Sequence, residues 1–231
     1  MNHLKERLRD VSAVGLLFLV VIAGTWRVSL AGRVLAGGDI FTYFYPYWAE
    51  ATRAIRVGRL PLWNPSLFMG VPLVANSQVG FFYPPNWPLW LLLPAHRSVH
   101  LTVVLHLCLA GLTAYMWARQ SLRLGAVASW AVGAAFALGG YLGAQMEHVN
   151  QLQGLAWLPL MLMLSDRIVR SPAYHPPSLS RRLRASCALA VVIALVLLAG
   201  HTQTAFISLL GVASYGLVPG LWRSLRGGDW R

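Results

Sequence analysis

Six long apolar runs dominate the chain, at about 11–30, 98–118, 125–144, 152–166, 185–200 and 204–222. A helix needs roughly 20 such residues to cross a bilayer, because every backbone polar group must be satisfied within the segment. The composition agrees: 57% of residues are hydrophobic and 11% charged, against about 25% charged in a soluble domain. An ordinary soluble domain and a disordered chain are both excluded. The expected fold class is an all-α integral membrane protein. It has about six transmembrane helices in a single domain over 1–231, with a long ordered first outer loop at 33–97. The first run resembles a signal-peptide core, but it is long for one and no small-residue cleavage site follows cleanly, so an uncleaved span is expected. Arg27 at its end extends it by reaching the interface. Cys108 and Cys187 lie in apolar runs and read as buried thiols, which leaves no disulfide framework or Cys-based zinc site.

The net charge of +12 would suggest nucleic acid in a soluble protein. Here it sorts by loop instead. With the N-terminus inside, Lys5, Arg7, Arg9, Arg119, Arg123, Arg167, Arg170, Arg181, Arg182, Arg184, Arg223, Arg226 and Arg231 all fall on the inner side, 13 of 19 basic residues. The short outer turns 145–151 and 201–203 carry none. This is the positive-inside pattern, and it implies both termini inside and no nucleic-acid partner. The run 152–166 is short and holds Pro159, which suits either a crossing or a re-entrant segment. Charge favours the crossing, since otherwise Arg181, Arg182 and Arg184 would sit outside.

The same topology sends three polar clusters to the outer face: Asn76 and Gln78; then Glu147, His148, Asn150, Gln151 and Gln153; then His201, Thr202 and Gln203. A polar, aromatic pocket there is the simplest expectation. Asp39 follows Gly37 and Gly38, which allow a tight turn. The acid then either caps the next helix or enters the pocket, or does both. The stretch 40–57 places Phe44, Trp48, Ala51 and Ile55 on one face and Glu50, Arg53 and Arg56 on another. That predicts an amphipathic helix in the membrane interface, with Pro46 ending or bending its first turn. Arg53, Arg56 and Arg59 suit either lipid head groups or a substrate phosphate. The loop 60–88 is rich in Pro, Gly and aromatics. Tyr83 and its neighbours suit either sugar stacking or interface packing. His148 and Gln151 share a helix face, whereas His100 and His106, inside a span, suit structural roles. No protease, hydrolase or nucleotide-binding motif occurs.

One resemblance extends these readings. Gly38-Asp39, Tyr45-Pro46, 58–65 (GRLPLWNP), Gly70-Val71-Pro72-Leu73, Asn76-Ser77-Gln78 and 82–86 (FYPPN) resemble the first outer loop of YfhO-type bacterial membrane proteins. So do the later elements Trp157-Leu158-Pro159-Leu160 and 200–205 (GHTQTA). These proteins are similar to the GT-C superfamily of membrane glycosyltransferases. The resemblance implies a bacterial cytoplasmic-membrane enzyme that transfers a sugar from a polyprenyl-phosphate-linked donor to an acceptor on the outer face. Asp39 matches the family's catalytic acid, as base or metal ligand, and Glu147 or His148 its second position. Arg53, Arg56, Arg59, Asn76, Gln78, Tyr83, Gln151, His201 and Gln203 are the expected substrate-binding set. Any divalent cation (Mg or Mn) would sit among Asp39, Glu147 and His148. Family members have about a dozen spans and a C-terminal outer portion, so the chain reads as an N-terminal or truncated form. Its expected partners are membrane lipid and the missing half or another membrane subunit. The competing class is a non-enzymatic module: a transporter or flippase-like half, a scaffold, or an inactive fragment.

Overall fold

The computed structural model describes residues 2–169 and 179–225, with side chains over 4–169 and 179–218. Of the charged residues sorted above, Arg170, Arg226 and Arg231 lie outside the described residues. Each apolar run lies on a helix. In chain order these are α1 (Asn2–Gly24), α2 (Trp26–Ser29), α3 (Tyr45–Arg56), α4 (Trp87–Leu92), α5 (Ala95–Gln120), α6 (Ala126–Ala137), α7 (Gly140–Ala144), α8 (Val149–Leu155), α9 (Leu158–Val169), α10 (Leu179–Leu198) and α11 (Thr202–Leu225). Among the described residues, three helical stretches are long and apolar enough to cross a membrane: Ala95–Gln120, Ala126–Glu147 and Val149–Val169. The last contains the run with Pro159. This proline stands at the second residue of α9, where its missing N–H removes no helical hydrogen bond.

Helix α5 is the hub and packs on α1, α3, α6, α8 and α9. Small residues set its crossing with α6. A Cβ added to Gly133 would lie 2.7 Å from the Gly111 carbonyl oxygen, and Leu17 of α1 fills the remaining space against both glycines. Such close backbone approach is how helices pack tightly where lipid offers no hydrophobic drive. At the C-terminal end of α5, Arg119 Nε donates to Asp10 Oδ1 at 2.9 Å and the Tyr115 hydroxyl to the same oxygen at 2.5 Å. These bonds fasten α1 to α5.

At the other end of α5 lies the segment 33–94. A π-helical turn, Ile40–Phe44, leads into α3, and Pro46 sits at the start of α3 rather than breaking it. A two-residue antiparallel pair, β1 (Trp63–Asn64) with β2 (Val71–Pro72), follows. The apolar face of α3 corrects the interfacial expectation. Phe44, Trp48 and Ala51 are buried with Leu73, Val79, Trp90 and Val103 of the protein itself. That face is therefore covered by protein rather than by acyl chains. Cys187 is also corrected: it is exposed on α10, while Cys108 is half-buried.

Two buried polar chains join the segment to the helices. Gln153 Nε2 donates to Asn86 Oδ1 at 2.6 Å, and Asn86 Nδ2 donates to the Gly80 carbonyl at 3.2 Å. Beside them, Trp157 Nε1 donates to the Tyr83 hydroxyl at 2.8 Å, and that hydroxyl lies 2.8 Å from His106 Nε2. His106 Nδ1 is 2.7 Å from the Thr102 carbonyl. A carbonyl can only accept, so Nδ1 carries the proton and Nε2 accepts from Tyr83. Every donor in this chain is used, as burial demands.

Candidate functional site

Three chain segments far apart in sequence, around Asp39, His148 and His201, meet where the 33–94 segment closes over the helix ends. The turn before α3 supplies Asp39. Asp39 holds the N-cap position of the π-helical turn, but its backbone is already helical (φ −67, ψ −20) and its side chain makes no capping bond. Its Oδ2 instead lies 3.6 Å from His148 Nε2, with the carboxylate more than half exposed. The capping bond expected as one role of Asp39 is therefore not made. Gly37 and Gly38 explain how Glu147 joins it. A Cβ on Gly37 would lie 2.3 Å from Glu147 Oε1, and one on Gly38 2.4 Å from Oε2. In this arrangement the Glu147 carboxylate occupies the space that side chains at 37 and 38 would take, so a larger residue there would displace its flexible tip. Gly38 also has φ +43, outside the ordinary range for other residues.

Gly200 does the same for the third segment. Its φ is +91, and a Cβ there would fall 1.8 Å from the Ser77 carbonyl oxygen. Ser77 Oγ donates to the Gly200 carbonyl at 3.1 Å. This clasp sets the Asn76–Gln78 turn on the α10–α11 junction, next to His201. Thr204 N–H points at His201 Nδ1, 3.1 Å away, so Nδ1 accepts and the neutral ring carries its proton on Nε2. Burial lowers the His201 pKa, and repulsion from His148 lowers it further. His148 Nδ1 is buried without a hydrogen-bond partner. An unsatisfied buried nitrogen is costly in a finished core and marks a place where a ligand can bond. The Tyr43 hydroxyl completes the wall. It is buried short of a proper hydrogen bond. Burial pushes its pKa up, Tyr47 and Asp39 add to this, and nearby Asn76 opposes it.

The other expected residues divide. Gln78, Gln151 and Gln203 remain at least partly exposed on the same three segments. Tyr83 is fully buried and bonded to Trp157 and His106, so it presents no ring for stacking; burial raises its pKa. Arg53 and Arg59 both pair with Glu50, at 2.7 and 2.8 Å. Arg56 donates to the Trp90 and Leu93 carbonyls at 3.0 and 2.7 Å, capping the end of α4. All three follow Asp39 by at least fourteen residues of helix or turn, which at 1.5 Å per helical residue puts Arg53 about 20 Å away. The arginines are therefore not part of the Asp39 cluster. Among the described residues, no group of three or more His, Cys, Asp or Glu side chains is arranged to hold a metal ion.

Sequence patterns do not reveal Tyr43, Ser77 or the Gly200 clasp as members of the site. Tyr43 does stand four residues after Asp39, one helical turn on, which is the only local signal.

The fold and the cluster together define an all-helical, membrane-compatible protein with an acid–imidazole site at one end of its helices. Compared with known proteins, the chain matches no family model, no curated protein and no solved structure.

Proposed function

We propose that the protein is a membrane glycosyltransferase of the GT-C type, acting on a polyprenyl-phosphate-linked sugar at the outer face of a bacterial cytoplasmic membrane. In this proposal all six helical runs span, both termini lie inside, and the 33–94 segment forms the outer cap. The observation that carries it is the Asp39–His148 contact at 3.6 Å, with Glu147 packed on Gly37 and Gly38 and with a vacant Nδ1 on His148. Sugar transfer needs an acceptor hydroxyl to lose its proton as it attacks the anomeric carbon, while the bond from that carbon to the phosphate oxygen breaks and the polyprenyl phosphate leaves with the bonding electrons. Asp39, exposed and carrying no capping bond, takes that proton. His148 steadies the Asp39 carboxylate through Nε2, and Glu147 and His201 orient the acceptor. A divalent cation is not needed for the proton transfer itself.

The test is Asp39→Asn in folded, detergent-purified protein supplied with a polyprenyl-phosphate sugar. The substitution keeps the shape and removes the base. Transfer is expected to drop at least 100-fold, within the range that general-base groups contribute. Undiminished transfer overturns the assignment. Transport of the lipid-linked sugar into vesicles without turnover would replace it with the non-enzymatic class.

A further inference from the structure

Away from the Asp39 cluster, two cavities adjoin along the seam between α2 and the first half of α5. One, of about 470 Å³, is lined by Val28, Leu30, Val34, Arg97, His100 and Leu101 among others. The second, of about 420 Å³, is lined by Gly24, Trp26, Arg27, Leu35 and Val103. Val28 and Val104 belong to both and form the partition. The walls are mainly aliphatic, and several lining side chains face outward: Leu30 is 72% exposed and Val34 54%. Each cavity has a guanidinium at its rim. Arg27 lies 5.8 Å from the Trp26 ring. Arg97 is exposed on the first turn of α5, with His96 beside it. Among the described residues, neither arginine has a carboxylate within ion-pair distance, while Glu50, Asp10 and Asp39 each face a basic partner elsewhere.

The seam is built rather than incidental. Leu35 N–H donates to His100 Nε2 at 3.1 Å, and the Tyr45 hydroxyl lies 2.6 Å from the same nitrogen and 2.6 Å from the Leu35 carbonyl. These bonds tie the chain after α2 to α5 and hold the two cavities apart at a fixed spacing. His100 is thereby used for structure, which leaves Arg97 and His96 as the polar groups at the mouth.

We infer that this seam is a binding site for an anionic phospholipid of the surrounding bilayer, with its phosphate at Arg97 and one acyl chain in each cavity. Two aliphatic channels side by side match a lipid with two chains. An unpaired arginine at the mouth of the first cavity matches a phosphate, with which the planar guanidinium makes bidentate contacts that favour Arg over Lys. The inference needs the membrane assignment but not sugar transfer, and binding is read without turnover, so either can fail alone.

The experiment is native mass spectrometry of the detergent-purified chain, titrated with dioleoyl phosphatidylglycerol. Dioleoyl phosphatidylcholine, undecaprenyl phosphate and inorganic phosphate serve as comparisons. One phosphatidylglycerol is expected to be retained. Arg97→Gln should weaken it about tenfold, as expected for loss of a charge-assisted contact. Arg181→Gln, on the remote α10, should leave it unchanged. Leu101→Trp, which fills one channel at a partly exposed position, should weaken it without removing charge, and it serves as the test if Arg97→Gln does not fold. Equal losses in Arg97→Gln and Arg181→Gln overturn the site, because they indicate unspecific attraction. Tighter retention of undecaprenyl phosphate that Arg97→Gln abolishes overturns the choice of a two-chain lipid, because it places the single-chain phosphate in the seam, and equal competition by inorganic phosphate removes the role of the channels.

Discussion

Glu50 is 6% exposed, and two guanidinium groups keep it charged. Burial alone would push its carboxyl above the ordinary value of 4.5, but hydrogen bonds from Arg59 and Arg53 outweigh this and hold it below. A folded-state pKa below the unfolded one gives stability that is complete above the ordinary value. That stability is lost as pH falls through the depressed one. Both arginines are substantially exposed, so solvent screening limits the gain. Glu50→Gln is expected to cost about 1–2 kcal/mol at neutral pH, mostly by leaving a buried group poorly paired. The gap in thermal midpoint between the two proteins should be full at neutral pH and shrink as pH falls below the ordinary glutamate value of 4.5. A gap that stays constant with pH would assign the cost to packing instead. The charge pattern makes a polar face at Glu50, Arg53 and Arg56 legible. That Glu50 is buried beneath Arg53 and Arg59, and that Arg56 serves the carbonyls of Trp90 and Leu93 in another element, depends on tertiary packing, which no local periodicity encodes.

At the scale of elements, what periodicity could reveal and what it could not differ clearly in α3. The spacing of Phe44, Trp48 and Ala51 correctly identifies one apolar face. It does not say what covers that face, because lipid and protein are equally apolar partners for it. The same limit hides the site. Asp39, Glu147, His148 and His201 stand out as a few polar residues among apolar runs, yet their meeting depends on glycines whose role is steric. Gly200 is the sharpest case. Gly200→Ala would force a Cβ into the Ser77 carbonyl and a non-glycine residue into φ +91. Ordinary overpacking costs about 1–3 kcal/mol, and the strained backbone adds to this. The expected loss is therefore at least 2 kcal/mol in thermal or denaturant unfolding, together with loss of the Ser77–Gly200 clasp. The clasp loss can be read as faster proteolysis within 60–88. Ser77→Ala, which removes one exposed hydroxyl bond and leaves the backbone in place, should cost about 1 kcal/mol or less. Equal effects of the two substitutions would show that the hydrogen bond, not the steric fit, holds the loop.

Across the whole molecule, the two ends of the helices differ in chemistry. One end carries Asp39, Glu147, His148, His201 and the folded 33–94 segment. The other carries the Asp10–Arg119–Tyr115 clamp, the Arg167–Gln120 hydrogen bond and the Asp166–Tyr215 bond. The basic residues flanking the helices fall mostly at this second end, and such residues resist translocation. In the proposed topology the acid–imidazole end faces out and the arginine end faces in. Single-cysteine labelling decides the point. In a chain with Cys108 and Cys187 changed to alanine, Ser77→Cys and Gln203→Cys should react with a membrane-impermeant maleimide in intact cells. Ser121→Cys, at the end of α5, should react only after permeabilisation. Ser77 and Gln203 are exposed at one end and are held there by separate segments, so concordant labelling reports the whole face rather than one loop. Labelling of Ser121→Cys from outside, with Ser77→Cys protected, would invert the molecule. Opposite outcomes for Ser77 and Gln203 would mean that one helical run between them fails to cross. Helix α10 is then the first to suspect, since Arg181, Arg182 and Arg184 crowd its start and it falls outside the three stretches that are long and apolar enough to cross.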